Sequence, residues 1–403
     1  MSTFEIDKKE DDFELNDDFQ MDTKIMVFGV GGAGGNAAAH MVDSGVLDVD
    51  YVIANTDVAA LRKKDGSKMK RIQIGRKTTH GQGAGNDPAK GQASAEENRD
   101  DIAKVLDGVS MLFVAAGMGG GTGTGAAPVV ASVAKEKGIL TVGVVTKPFD
   151  WEGEAKMQSA LGGVSEMKKH VDALIVIPND RVRELNNGKT KGVSLKEAFS
   201  EVDDVLCKAV TGMIQLLQGD GYINVDFADI TMALHESGDA HIAIGKGKGD
   251  NKLDEALDEV LNSPLLETSI DGARRGLLNV SVPVSFPLEE FDGLFKDVSR
   301  KFNADAKYKI GLVLDENLAE DELELIVVAT DFAERPAGAL IGRSLPKVET
   351  ESAASDSSAS DGDSDSIIES DFGTGGAPFA SDGFGDSQDI DSLLKKFNQG
   401  RDN

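Results

Sequence analysis

Gly117-Met118-Gly119-Gly120-Gly121-Thr122-Gly123-Thr124-Gly125 follows the apolar run Ser110–Ala116 and leads into Ala126–Lys137, whose composition predicts a helix. Strand, glycine loop and helix in that order make an anion-binding arrangement. Glycine lets the backbone come close to a ligand, and the following helix aims free N–H groups and its positive dipole end at a phosphate. Thr122 and Thr124 add hydroxyl donors. Pro128 is expected in the first helical turn, where no N–H partner is needed. A flexible linker shares this composition, but linkers are not usually framed by a buried strand and an apolar helix.

Working outward, the same unit occurs upstream. Lys24–Val30 reads as a buried strand, Gly29–Asn36 as its glycine loop and Ala37–Val42 as the helix. The loop contains a literal GxGxxG at Gly29, Gly31 and Gly34. Tyr51–Asn55 is a second strand with Asp57 just past its end, which is where a dinucleotide-binding unit keeps its ribose acid. An NAD-binding oxidoreductase is therefore one reading. No Gly-Lys-Ser/Thr closes the loop, so it is not a Walker A motif. Arg71–Ile74 gives a third strand, Gly81–Pro88 a third glycine loop and Glu96–Leu106 a charged amphipathic helix. Ile139–Val145 and Asp172–Ile177 are further strands. Strands alternating with helices predict a mostly parallel α/β sheet with ligands outside its carboxyl edge. Three glycine loops there suit a chain of three phosphates better than one pyrophosphate. None carries a lysine, so N–H groups, helix dipoles and a metal ion would meet the charge.

Ser194–Leu217 is helical throughout, with a capping-box spacing at Ser194 and Glu197 and apolar residues broad enough for burial on much of its surface. At helical rise it is roughly 35 Å long. Cys207 within it is a packing residue. Asn224-Val225-Asp226-Phe227-Ala228-Asp229-Ile230 follows. Its two carboxylates and amide either polarise a water or form an Asx turn and helix cap, and the residues alone favour the cap. Strands at Ala240–Ile244, Leu277–Ser285, Lys309–Leu314 and Glu324–Thr330, with helices at Leu253–Asn262 and Leu288–Phe302, predict a second, smaller α+β domain with a mixed sheet.

The chain's 403 residues carry a net charge of −28, which repels nucleic acid and anionic membrane and makes a divalent cation a companion of any phosphate ligand. Its single cysteine excludes an internal disulfide and fits a reducing cytoplasm. No apolar run is long enough to span a bilayer, and the acidic N-terminus lacks a signal-peptide pattern. The five histidines show no metal-ligand spacing. Met1–Asp22 and Glu349–Gln388 are too polar to fold, whereas Asp389–Phe397 puts Ile390, Leu393, Leu394 and Phe397 at helical spacing and reads as a docking peptide. The expected division is 1–22 acidic tail, 23–193 nucleotide domain, 194–220 central helix, 221–335 second domain, 336–388 linker and 389–403 partner-binding peptide.

Taken in order, Gly29–Asn36, Asn55-Thr56-Asp57, Gly83–Pro88, Gly119–Gly125, Ile177–Asp180 and Asn224–Ile230 resemble the tubulin/FtsZ family of GTPases, and the resemblance runs from about Asp22 to Phe332. It implies a Rossmann-like GTPase domain, a long central helix and a C-terminal activating domain. GTP or GDP would be the ligand, with Mg2+ held mainly through the phosphates and no protein metal ligand assigned. By that resemblance Gly32, Ala33, Gly34, Gly35, Asn36, Gly119, Gly120, Gly121, Thr122, Gly123 and Thr124 lie on the phosphates. Asn55, Asp57, Ala84 and Gly85 complete the phosphate and magnesium side. Glu152 falls on the ribose, Asn179 joins the nucleotide site, Phe199 stacks on guanine and Asp203 pairs with its edge. Lys156 stands where the family has a nucleotide-contacting arginine. Asn224, Asp226 and Asp229 fall on the water-activating loop.

Phe199 and Asp203 would touch the base near the start of the long helix, while Asp226 and Asp229 lie beyond its end, more than about 25 Å away at helical rise. The acids would then serve the nucleotide of a neighbour stacked head to tail, and such a contact builds a filament. The family implies a cell-division ring of this homopolymer, in the cytoplasm at mid-cell beneath the inner membrane. Membrane-tethering and regulatory division proteins would bind through residues 389–399, without nucleic acid and without direct membrane insertion. A non-hydrolysing tubulin-like scaffold is a further reading, given Lys156.

Overall fold

The computed structural model describes residues 23–45, 49–182, 194–217, 225–266, 273–286, 306–315 and 318–332. The two tails, Asn224, the expected helix Leu288–Phe302 and the peptide 389–399 lie outside the described residues. In chain order the first part comprises β1 (Ile25–Val30), α1 (Gly31–Asp43), β2 (Asp50–Asn55), α2 (Val58–Arg62), β3 (Lys70–Gln73), α3 (Arg76–Thr79), α4 (Pro88–Glu97), α5 (Arg99–Val105), β4 (Met111–Gly117), α6 (Gly121–Glu136), β5 (Leu140–Lys147), α7 (Glu154–Lys168), β6 (Ala173–Pro178) and α8 (Asn179–Val182). Then come α9 (Leu195–Leu217), α10 (Phe227–Leu234), β7 (Gly238–Lys248), α11 (Lys252–Leu261), β8 (Ala273–Val282), β9 (Lys307–Leu314) and β10 (Glu322–Phe332).

The strands form one sheet in the order β3-β2-β1-β4-β5-β6-β7-β10-β8-β9. From β3 to β6 every pairing is parallel. Parallel strands covered on both faces need unbroken apolar runs, and all six residues of β1 are buried. Beyond β6 the sheet is mixed, as expected, because β10 runs antiparallel to β7 and β8. The two halves join through a short parallel pairing of Ala173–Ile175 with Gly238–Ala240.

Helices cover both faces. On one, α1, α9 and α10 bury Met41, Leu206, Val210, Met213, Ile214 and Ile230 against Val27, Val142 and Ile175. On the other, α4, α5, α6 and α7 bury Ala95, Ile102, Val130 and Ala160 against Phe28, Leu112 and Val114. Each large apolar side chain so buried contributes about 1.5–3 kcal/mol. The cap expected for α9 is present: Ser194 N donates to Glu197 Oε2 at 2.6 Å and Glu197 N to Ser194 Oγ at 3.2 Å.

Three local expectations differ from the structure. Helices α1 and α6 begin inside the glycine runs, at Gly31 and Gly121. Pro128 therefore sits in the interior of α6 rather than its first turn, and the Thr124 carbonyl forgoes its in-helix partner. The charged segment Glu96–Leu106 divides at Asn98, which leaves helical geometry at φ −114°, ψ 22°. Its amide explains the break: Oδ1 accepts from Gly75 N at 2.9 Å and Nδ2 donates to Asp101 at 3.0 Å. Asn side chains that bond locally compete with the helical ladder.

Candidate functional site

A cavity of about 560 Å³ opens at the carboxyl edge of β1, β4, β5 and β6. Its floor is Gly32 and Ala33 of α1 and Gly117, Met118 and Gly120–Gly123 at the β4–α6 junction. Ala84, Gly85 and Asn86 wall one side; Thr146, Pro148, Glu152, Lys156, Asn179 and Phe199 wall the other. A second cavity of about 250 Å³ shares Gly32 and is lined by Gly35, Asn36, Asn55, Asp57 and Lys64.

The helix N-termini show what this edge is built for. Helices α2, α4 and α10 are capped by the carboxylates of Asp57, Asp87 and Asp226. Helices α1 and α6, which start at the cavity, have no side-chain cap and no acid in their first turn. Their free N–H groups and dipoles are left for an anion.

The glycines divide by what a methyl group would meet. On Gly34 it would lie 2.1 Å from Ala115 O, and on Gly123 2.4 Å from Gly117 O, so these serve backbone-to-backbone packing. At Gly32, Gly35, Gly85 and Gly120 nothing lies within 4 Å, which leaves their faces open. Thr124 turns inward: its Oγ1 accepts from Gly119 N at 2.8 Å and holds the loop. Thr122 Oγ1 lies 2.7 Å from Thr56 Oγ1, linking the end of β2 to the start of α6. Asn55 Oδ1 accepts from Asp57 N at 3.1 Å, while Asp57 Oδ1 accepts from Ala59 N and Ala60 N. Asn36 Oδ1 accepts from Lys64 Nζ at 2.8 Å.

Glu152 and Lys156 are ion-paired in the cavity wall, and Glu152 also accepts from Phe149 N at 2.9 Å. Asn179 is buried, and its Oδ1 has no hydrogen-bond partner among the described residues. A buried acceptor left bare is costly, so it is suited to a ligand donor. Phe199 stands edge-on to Phe149 and Trp151, at centroid distances of 5.4 and 6.2 Å, and those two rings stack at 5.3 Å. Phe149 and Trp151 escaped the sequence reading, because the two stretches that form the cluster are some fifty residues apart. One turn after Phe199 lies Asp203, whose carboxyl burial pushes up to about 6, against the opposing charges of His40 and Lys64.

Asp226 and Asp229 are not at this cavity. Asp226 caps α10, accepting from Asp229 N at 2.7 Å, as the residues alone favoured. The other end of α10 is tied to the amino edge of the sheet: His235 Nδ1 lies 2.8 Å from Asp172 Oδ1, just before β6, whereas Asn179 follows β6. Asp229, at the start of α10, meets Lys309 of β9 at 2.8 Å, and β9 lies four strands beyond β6 in the sheet, about 19 Å away at strand spacing. The structure thus gathers nucleotide-type groups on one edge of the sheet and holds the paired acids away from it.

Known proteins resemble this chain in sequence and fold. The family model described as "Tubulin/FtsZ family, GTPase domain" matches residues 24–187, and "FtsZ family, C-terminal domain" matches residues 238–333. The chain is 47% identical over 311 residues to the cell division protein FtsZ of Wigglesworthia glossinidia brevipalpis, covering 77% of this chain and 79% of the relative. To the FtsZ of Buchnera aphidicola it is 45% identical, covering 76% and 78%. Among solved structures, an empty FtsZ dimer of M. jannaschii superposes with a TM-score of 0.72 at 40% identity, covering 76% of this chain and 88% of that one. CetZ1 of Haloferax volcanii, at 21% identity and a TM-score of 0.67, covers 78% and 96% and shares the fold.

Proposed function

The chain belongs to the tubulin/FtsZ family, and from that premise we propose that the carboxyl-edge cavity holds GTP and that a second copy of the chain completes its hydrolysis. It is a GTPase of the cell-division cytoskeleton and binds guanine nucleotide. The family match sets aside the oxidoreductase and the non-hydrolysing scaffold.

The uncapped ends of α1 and α6 receive the phosphates, together with the N–H groups of the open glycines and Thr122. Phe199, steadied by Phe149 and Trp151, stacks on the base, and Asp203 accepts the two donors of its edge. Glu152 takes the ribose, Lys156 adds charge beside it, and Asn179 supplies the bare acceptor. A divalent cation such as Mg2+ would supply positive charge against the charge that develops on the leaving group. Asn55 and Asp57, whose oxygens are of the kind such an ion takes, would be the side chains to hold it, and Asp57 Oδ1 already caps α2.

The observation that carries the reading is the separation of Asp226 and Asp229 from the cavity, along the sheet toward β9. Within one copy they reach no bound nucleotide. Stacked head to tail, the acids of one copy, with Asn224, orient a water at the γ-phosphorus of the next. Water oxygen bonds to phosphorus, the bridging P–O bond breaks, and GDP and phosphate leave. Loss of the γ-phosphate then weakens the junction. Such a heterologous contact propagates into a filament. The ring forms at mid-cell in the cytoplasm, held to the membrane by division proteins that bind residues 389–399. Among the described residues no helix is long and apolar enough to cross a membrane.

The test is phosphate release per copy against protein concentration, with Asp226→Ala in parallel. Turnover should rise with concentration, and the variant should bind GTP yet lose turnover. A dilute monomer that hydrolyses GTP at the rate of a concentrated sample would sink the reading.

A further inference from the structure

The acids of α10 do not stand alone. Lys309 of β9 reaches across to them, its Nζ 2.8 Å from Asp229 Oδ1. That hydrogen bond and the charges of Asp229 and Asp226 raise the ammonium above its ordinary value, so it stays charged at neutral pH. Asp226 Oδ1 is occupied by Asp229 N, which fixes one carboxylate, and Lys309 fixes the other. Hydrogen bonds tie the elements under this group together. Arg275 Nη1 donates to Met232 O at 2.8 Å and His235 O at 3.1 Å at the end of α10, and Lys309 sits in register with Leu277 of β8. Both Lys309 and Asp229 keep part of their side chains in solvent, 42% and 25% respectively.

The electrostatics of hydrolysis in trans set a problem that this lysine answers. Two carboxylates brought to the polyphosphate of another copy repel it, and the repulsion strengthens as the junction expels water. A lysine bonded to one carboxylate lowers the formal charge of the group from two negatives to one. It also keeps the Asp229 carboxylate from swinging to other rotamers.

We propose that Lys309 is a positioning residue of the trans-acting half-site, holding the Asp229 carboxylate in place and halving the negative charge presented to the phosphates of a second copy of this chain. The proposal rests on the reading that Asp226 and Asp229 act on a neighbour's nucleotide. Nothing in the sequence suggested it, because Lys309 lies in a strand whose neighbours read as ordinary alternating residues, eighty positions from its partner.

The experiment uses the full chain with Lys309→Met, Lys309→Gln as a second neutral variant, Lys309→Arg, and Asp229→Asn in parallel. Phosphate release at saturating GTP and the concentration needed for assembly are measured at fixed potassium and magnesium while tetramethylammonium chloride sets the ionic strength. At low ionic strength both neutral variants should turn over GTP roughly two- to fivefold more slowly per assembled copy and need more protein to assemble. The deficit should shrink as salt screens the repulsion, and arginine should restore the rate. GTP affinity of dilute copies should not change. Loss of a merely structural ion pair would lower thermal stability without a salt-reversible rate deficit, and that result overturns the proposal. So does a neutral variant with wild-type turnover at low ionic strength. Full turnover by Asp229→Asn would instead remove the reading on which the proposal stands.

Discussion

His40 of α1 and Asp204 of α9 lie 3.2 Å apart, Nε2 to Oδ1, beside the half-buried Asp203, one turn along α9 from Phe199. Burial pushes the Asp203 carboxyl from an ordinary 3.8 to about 6; His40 and Lys64 pull it down, and Asp204 pushes it further up. Because the folded value lies above the unfolded one, the folded chain holds the extra proton between those two values. The group's contribution to stability therefore falls as pH rises through that window, and an ionised Asp203 destabilises the empty protein at neutral pH. Asp203→Asn should raise the melting temperature of the nucleotide-free protein at about pH 7 more than at about pH 4.5. Guanine needs the ionised acceptor, so GTP affinity of the natural chain should fall by about tenfold per unit well below pH 6. Calorimetric titration at several pH values checks this. An affinity flat down to about pH 5 would remove Asp203 from base recognition. The asparagine variant presents an N–H where a carboxylate accepted, so its preference should move from guanine toward xanthine nucleotides.

Asn179 separates ligand binding from stability in the opposite sense. Its Oδ1 is buried and has no partner among the described residues, a cost that the nucleotide-free protein carries. Asn179→Ala removes that acceptor with only a small loss of packing. The nucleotide-free protein should then change in stability by less than about 1 kcal/mol, while GTP and GDP affinity fall by roughly five- to thirtyfold, the worth of a buried hydrogen bond. Thermal unfolding with and without nucleotide reads both. A variant equally destabilised with and without GDP would show that the amide only supports the fold.

Trp151 is the chain's single tryptophan and is 56% exposed, stacked on Phe149 and edge-on to Phe199. A base packed on Phe199 changes the surroundings of that indole. Intrinsic fluorescence at tryptophan wavelengths should therefore report nucleotide occupancy, saturating with GDP and responding far more weakly to ADP. Phe199→Ala should abolish the change and weaken binding by about 1–3 kcal/mol, the worth of base stacking on an aromatic ring. An unchanged signal at saturating GDP would place the base away from these rings.

Much of this site was legible from order and spacing. The glycine runs after β1 and β4, the acid cap at Ser194 and the apolar stripe of α9 are local properties, and local chemistry sets them. The starts of α1 and α6 were not legible, because glycine lowers helix propensity. A methyl on Gly31 would meet Gly123 N at 2.9 Å and one on Gly121 would meet Asp87 N at 2.8 Å, so packing against distant backbone admits only glycine at these starts. The break at Asn98 depends on Gly75, over twenty residues away, and the aromatic cluster depends on a loop meeting α9. The pairing of Lys309 with Asp229 lies further still from any sequence pattern. What the sequence hides here is contact between distant segments, which only the packed sheet brings about.

Gly34 and Gly32, two residues apart in α1, should answer the same substitution in opposite ways. Alanine in place of glycine favours a helix by up to about 1 kcal/mol. At Gly34 the added methyl would lie 2.1 Å from the Ala115 carbonyl oxygen and 3.2 Å from the Gly29 carbonyl carbon, so α1 must lift from β4. Overpacking of that kind costs about 1–3 kcal/mol or more, which exceeds the helical gain. Gly34→Ala should therefore lower the melting temperature of the empty protein, with nucleotide binding lost as a consequence. At Gly32 nothing lies within 4 Å, and the methyl would enter the space shared by the two cavities. Gly32→Ala should leave the empty protein as stable as before, or slightly more so, yet bind GTP at least about tenfold more weakly, because the methyl takes the phosphate's place above the first turn. Unfolding curves of the nucleotide-free variants, set beside GTP titrations, distinguish a glycine kept for the fold from a glycine kept for the ligand. A Gly32→Ala protein that bound GTP normally would show that the phosphates do not pass over the start of α1.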